Sequence, residues 1–436
     1  MKKIIFILWY CTVYSWASAQ KNDNAKYLHQ AQGALTTVLV HDVFSPPVAS
    51  RVYLYSHAAA YEVIVHASKQ DTYSSLMESI KKFPRIDPPA KPVNIELASM
   101  AAFYYTAGKF IFSEKMLRDS FKIALDKFTW LSKQNHGAYQ ASLQYARYVA
   151  DTIIEWSNKD NYNSTRKIKR YSFSNKPGKW VPTPPAHLAA VEPYWYLMRT
   201  IAIDSSSQFA PPPEDFSTEK DSKFYKDAYE VYETGNTLNA EQKAMASFWD
   251  CNPFNVNTNG HLIFARKKLS PGAHWMNITR LCCKKINADL IKSSAAYILT
   301  AIALYDGFIG CWQAKYRDNL IRPETYINRY IDVNWNPLLQ TPPFPEYTSG
   351  HSVISTSAAV VLGNFFGENF SFDDDTETLY GLPVRHFKSF ITAANEAAIS
   401  RLYGGIHFRD AISIGQTMGR QVGEQVLKKI NLSNHN

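Results

Sequence analysis

Lys315 and Arg322 stand seven residues apart, and Pro323 follows at once. On one helix that spacing aims both cations the same way, two turns along. Pro323 disfavours α geometry at the residue before it, so Arg322 is expected at a helix end, where it can turn into a site. A second segment, Pro345-Glu346-Tyr347-Thr348-Ser349-Gly350-His351, follows a Pro-rich loop and opens an apolar run from Val353 to Phe366. Small residues at a helix start expose backbone N–H groups whose dipole favours an anion, and Ser349 adds a hydroxyl. The third segment runs from Ser400 and Arg401 through Gly404-Gly405 to His407 and Asp410. It places Arg401 at the end of one helix, breaks the chain at the glycines and begins the last helix at His407. Taken singly, these are a solvated basic face, an N-cap beside a histidine, and a helical turn with surface charges. Together, three cations, a helix N-terminus and two histidines describe a cradle for a tetrahedral oxyanion. One histidine then serves as nucleophile or ligand and the other as acid–base group.

The elements that must hold such a cradle read as helical. Leu143, Ala146, Ala150, Ile153 and Trp156 recur at three- and four-residue steps, one apolar face of a helix. Similar stretches lie near 51–68, 93–112, 116–130, 239–250 and 385–401, while alternating strand-like runs are scarce. Stretches near 175–187 and 205–216 are rich in Pro and Ser and read as long loops. Ala295 to Trp312 is almost wholly apolar, but Asp306 within it suits a core helix better than a membrane span. With 46% apolar and 19% charged residues, the 436-residue chain is globular and long enough for a large core. Its 18 Gly and 22 Pro exclude collagen-like and low-complexity classes. The formal charge of +9 favours an anionic ligand, yet it is not clustered as nucleic-acid binding would require.

Lys2 and Lys3 precede an apolar run from Ile4 to Trp16, and Ala17-Ser18-Ala19 precedes Gln20. This reads as a secretory signal peptide over residues 1–19, too short for a span and cleaved on export to the periplasm or beyond. Tyr10 is too bulky for Cys11 to be a lipid-modification site. Cys251, Cys282, Cys283 and Cys311 are too few for a disulfide framework and show no zinc-type spacing, so buried thiols or one bridge are expected. The expected architecture is all-α, built from helical bundles: an N-terminal helical half over 20–285 that walls the pocket, and a C-terminal bundle over 286–430 that carries the site. His274-Trp275, after Pro271-Gly272, is within reach of that site in this reading.

The three segments, in this order, resemble the signature of the vanadium-dependent haloperoxidases and the type 2 phosphatidic acid phosphatase superfamily: K-x6-R-P, then P-S-G-H, then S-R-x5-H-x3-D. The resemblance covers Lys315 to Asp410. It implies that Lys315, Arg322, Ser349, Gly350 and Arg401 hold oxyanion oxygens, that His351 is the acid–base group, and that His407 is the vanadium ligand or the phosphate-attacking nucleophile. The implied cofactor is vanadate, with phosphate able to occupy the same site. The implied substrates are hydrogen peroxide and halide, with an organic acceptor or a phosphate ester as further candidates. Trp312, one turn before Lys315, and Phe344, in the Pro-rich loop, stand at spacings where haloperoxidases wall their halide site.

Two positions depart from the pattern. Thr348 replaces the motif Pro, and Asp410 lies three residues after His407 where the pattern puts Asp four after, a position held here by Ala411. On a helix that moves the carboxylate about 100° around the axis, so either Asp410 supports His407 from another angle or another group does so. The length of the chain favours a haloperoxidase, since phosphatases of this superfamily are commonly shorter. The alternatives are an acid phosphatase working through a phosphohistidine, and a non-catalytic envelope protein that binds glycan or protein. Against the last stands an intact set of three cations and two histidines. Without C-x-x-C-H or a defensible proximal–distal His pair, haem is disfavoured.

Overall fold

The computed structural model describes residues 24–68, 73–259, 262–265 and 267–432. The expected signal peptide lies outside the described residues. The described chain is all-α in class, with two antiparallel strand pairs: Val256–Asn259 with Leu262–Ala265, and Phe372–Asp374 with Arg385–Phe387.

The apolar run through Ala295–Trp312 is the core of a 29-residue helix, Leu290–Asp318, almost all of whose residues from Leu290 to Trp312 are buried. Asp289 caps it, accepting the Lys292 N–H at 2.9 Å. The helices Pro46–Ala67, Pro271–Lys285, Gly350–Phe366 and Arg409–Lys429 all pack on it. Its apolar window is wholly buried in protein, which identifies it as a core helix. Asp306 explains itself in that setting: its carboxylate accepts the backbone N–H groups of Ile201, Ala202 and Ile203 at 2.9, 2.6 and 2.9 Å. Burial still pushes this carboxyl up to about 6, against the pull of those three donors. Asp306→Ala would strand two buried N–H groups and one half-buried one, and a loss of about 3 kcal/mol in unfolding free energy is expected from denaturant titration. A change within 0.5 kcal/mol (about one RT) would show that the 201–203 loop finds other partners.

Two features place the site. Gly415, Gly419 and Gly423 recur every fourth residue on the Arg409–Lys429 helix, and a Cβ at Gly419 would lie 2.3 Å from the Val353 carbonyl oxygen. The missing side chains let this helix press against the Gly350–Phe366 helix, so the beginnings of both helices meet. Ser349 N–H accordingly bonds the Ala411 carbonyl at 3.1 Å.

The second feature corrects the reading of Lys315 and Arg322 as neighbours on one helix. The helix stops at Asp318, and Asn319 takes the left-handed conformation (φ 52°). The next residues run extended: Asn319 and Leu320 carbonyls accept from Trp180 and Glu346, and Ile321 N–H donates to Gly178. Arg322 is reached in extended geometry (φ −81°, ψ 152°) just before the Pro323–Tyr330 helix, as Pro323 requires. The two cations converge because the chain turns, not because they share a face. The four described cysteines are free and buried.

Candidate active site

His407 sits in the turn between the Phe390–Tyr403 and Arg409–Lys429 helices, two residues before the latter begins. Gly405 makes the turn possible. Its φ is +75°, and a Cβ there would meet Pro337 and Trp335 at 3.0 Å. The His407 Nδ1 lies 2.8 Å from Glu346 Oε1, which also accepts the Phe408 N–H at 3.0 Å. A carboxylate at Nδ1 assigns the proton to that nitrogen and leaves the lone pair on Nε2. Arg322 Nη1 donates to that lone pair at 3.1 Å. Burial, then Arg322, Lys315 and Arg401, hold the imidazole well below its ordinary pKa, so it is neutral and able to act as a ligand or nucleophile.

The carboxylate on His407 is therefore Glu346. Asp410 pairs with Lys223 instead, at 3.3 Å. The one-residue shift in spacing is the reason: Asp410 lies in the first turn of its helix, rotated away from the turn that holds His407. Glu346 was visible in the second segment, but its sequence distance from His407 gave no signal of contact. Burial pushes its carboxyl up to about 7, against the pull of Arg322 and Lys315.

Arg322 and Arg401 are both buried. Arg322 Nε donates to the Phe344 carbonyl at 2.9 Å and Nη1 to the Ile406 carbonyl at 2.8 Å, while Nη2 is buried without a protein partner. Arg401 Nε donates to Ser400 Oγ at 3.0 Å and Nη2 to the Trp249 carbonyl at 2.7 Å. The Trp249 backbone also bonds the His351 ring, whose Nε2 is buried without a partner. Burial, Arg401, His274 and Lys315 together keep His351 well below its ordinary value, hence neutral. Ser349 is the N-cap of the Gly350–Phe366 helix, as its sequence suggests; its Oγ accepts from Ser352 Oγ at 2.9 Å.

Lys315 behaves differently from the other cations. Its Nζ donates to three loop carbonyls, Pro345 at 2.9 Å, Glu346 at 3.0 Å and Thr348 at 2.6 Å. All three ammonium protons staple the segment that presents Glu346 and Ser349, so the residue offers the cradle its charge rather than a free N–H. Burial is the main cause that lowers this amine to about 7.

Trp312, Phe344, Gly350, His351, Arg401 and His407 line one pocket. The Trp312 and Phe344 rings meet at 5.1 Å, and the indole N–H is spent on the Val191 carbonyl at 3.1 Å. Phe344 also lies between two cations, 5.1 Å from Lys315 Nζ and 5.1 Å from the Arg322 guanidinium. It is thus part of the cradle's support as well as a wall. Pro46 and residues 250–254 close the pocket from the N-terminal half. The place of the 249–252 segment in the pocket escaped sequence reading because it contributes a backbone carbonyl and pocket wall, which leave no pattern of residue types.

A buried pocket in a helical protein, with an oriented neutral imidazole and unspent guanidinium and imidazole nitrogens, has the donor set that an oxyanion would need. The family model for the VCPO second helical-bundle domain matches residues 295–435. The structure of a bacterial vanadium-dependent iodoperoxidase is similar at 44% identity and a TM-score of 0.88, over 94% of this chain and 98% of that one. Holo- and apo-type bacterial vanadium-dependent chloroperoxidases share the fold, at 15% and 16% identity and TM-scores of 0.69 and 0.65. The alignments cover 92% and 88% of this chain and 96% and 95% of theirs. No curated protein matches the chain. The chain belongs to the vanadium-dependent haloperoxidase family.

Proposed function

We propose that the protein is a vanadate-dependent haloperoxidase that oxidises halide, iodide first, with hydrogen peroxide to hypohalous acid. The observation that carries this reading is the His407 Nε2 lone pair, fixed by Glu346 on Nδ1, in a pocket where Arg322 Nη2 and His351 Nε2 are buried without partners. Buried polar nitrogens left open are costly unless a ligand completes them, and a tetrahedral oxyanion that keeps a hydroxyl would take the Arg322 N–H, donate its O–H to the His351 Nε2 lone pair and accept the His407 lone pair. The residues therefore fit vanadate: His407 Nε2 would coordinate it, with Arg322, Arg401 and the helix start at Gly350 compensating its charge. Bound there, vanadate supplies the Lewis acidity that activates hydrogen peroxide toward two-electron oxidation of halide.

The chain's own residues do the rest. His351 Nε2 is the group placed to take and return a proton at the peroxide. Trp312 and Phe344 offer an apolar wall suited to a poorly hydrated halide, and the 44%-identical structure is that of an iodoperoxidase. The signal-peptide pattern at residues 1–19 supports export to the periplasm or outside the cell.

The test is peroxide-dependent oxidation of iodide, bromide and chloride by vanadate-saturated protein, beside hydrolysis of a chromogenic phosphate ester. Brisk ester hydrolysis with no halide oxidation would make the protein a phosphatase acting through His407; neither activity would favour the envelope-binding alternative. Within the proposed reaction, Trp312→Phe should raise the halide KM by about 3- to 10-fold while vanadate affinity holds, because the ring edge moves but no oxyanion contact is lost. Phe344→Ala should damage both, since it unsettles Lys315 and Arg322. Equal effects of the two substitutions on vanadate affinity would count against the halide wall.

A further inference from the structure

Beside the oxyanion cradle lies a second convergence of side chains that the proposed reaction does not use. Cys251 Sγ is 3.3 Å from His274 Nδ1 and 3.8 Å from Glu377 Oε1, and His274 Nδ1 is 3.3 Å from that same oxygen. All three residues are buried, at 2%, 0% and 3% exposure. Zinc bonds thiolate at about 2.3 Å and imidazole or carboxylate at about 2.0 Å, so tetrahedral coordination separates the donor atoms by about 3.3–3.5 Å. Two edges of the observed triangle are at or near that span, and the third needs a shift of a few tenths of an ångström.

The other side of the ring strengthens the case. His274 Nε2 lies 2.7 Å from Asp374 Oδ2, with Asp374 in turn fixed by the Thr376 N–H at 3.0 Å. A carboxylate on the far nitrogen is what sets the tautomer and direction of a metal-binding imidazole. Trp249 stacks on the same ring at 4.6 Å and holds its plane. Two carboxyl groups, Asp374 and Glu377, face opposite nitrogens of one buried imidazole, a donor set that a dication would complete.

We propose that Cys251, His274 and Glu377 bind a Zn²⁺ ion, with Asp374 as the positioning residue for His274. On binding, the Cys251 thiol proton leaves to solvent as the Zn–S bond forms. His274 Nδ1 gives up its own proton to solvent and makes the Zn–N bond with the lone pair so freed, while the Nε2–H stays directed at Asp374. The sequence shows no zinc spacing because the ligands come from a loop, the Pro271–Lys285 helix and a short 3₁₀ turn at Thr376–Tyr380. Cys251 lies two residues from Trp249, whose carbonyl bonds Arg401 and His351. The ion would thus anchor the segment that holds both active-site side chains.

The test uses the full chain without vanadate. Chelator-treated protein is incubated with Zn²⁺ or Co²⁺ and gel-filtered, and bound metal is measured by elemental analysis and by the thiolate-to-cobalt charge-transfer band. One ion per chain and a clear band are expected for the wild type. Cys251→Ser should abolish the band, Glu377→Gln should release the ion on filtration, and Asp374→Asn should weaken binding by about 10- to 100-fold. His407→Ala, in the oxyanion cradle, should bind like the wild type. Circular dichroism of each variant separates loss of metal from loss of fold, and Glu377→Gln preserves shape if Cys251→Ser does not fold. The proposal is overturned if folded wild type retains no more ion than Glu377→Gln, or if His407→Ala removes the ion.

Discussion

His407→Ala should lower vanadate-dependent halide oxidation by about 10³-fold or more, equivalent to about 4 kcal/mol of transition-state stabilisation. The substitution removes the one imidazole lone pair positioned to coordinate the oxyanion, while leaving Arg322, Arg401 and the Gly350 helix start in place. Vanadate should still enter, drawn by charge, but bind more weakly and exchange freely. The fold should survive. Arg322 Nη1 keeps the Ile406 carbonyl at 2.8 Å, and Glu346 keeps the Phe408 N–H at 3.0 Å. The vacated space opens directly on the pocket, so added imidazole should restore part of the activity. A purely structural role for His407 would not be rescued this way. Turnover and vanadate affinity like those of the wild type, measured by equilibrium dialysis and iodide oxidation, would end the assignment.

How far the site could be read from the chain depends on what each residue contributes. Arg322, Arg401, Ser349, His351 and His407 were legible because each stands in a short contiguous segment at a helix boundary, and boundaries are written in local sequence by Pro323, Gly404 and Gly405. The helical class was legible for the same reason, since the 143–156 stripe records a face that is now largely buried. The partner of His407 was not. Glu346 reaches it only through a chain reversal at Asn319 and the Gly419 crossing, and neither leaves a periodic trace. Lys315 could be recognised as a cation, but its use as a staple depends on where three loop carbonyls fall. Trp249 contributes a carbonyl, which any residue type possesses, and the strand pairs are too short for alternation to register.

Glu346 is where the structure departs most from the expected pattern, and it yields the second large effect. Its carboxylate does two things that oppose each other when vanadate binds. Through Oε1 it fixes the His407 proton on Nδ1 and raises the electron density at Nε2, which favours coordination and turnover. Through its negative charge beside Arg322 and Lys315 it also repels the incoming anion. Glu346→Gln keeps an acceptor oxygen for His407 and Phe408 but removes the charge. Vanadate affinity should then change by only about 3-fold in either direction, while kcat for iodide falls by about 10- to 100-fold. Glu346→Ala removes the orienting acceptor too; the ring is then free to take the other tautomer, and kcat should fall by about 10²- to 10⁴-fold. Asp410→Asn supplies the comparison. Its carboxylate sits with Lys223 near the surface, where an ion pair contributes little, and kcat should stay within about 2-fold. The split between affinity and kcat is the decisive reading, because general destabilisation would lower both together. If Asp410→Asn loses as much activity as Glu346→Gln, or if Glu346→Ala retains full kcat, then the carboxylate that orients His407 lies elsewhere.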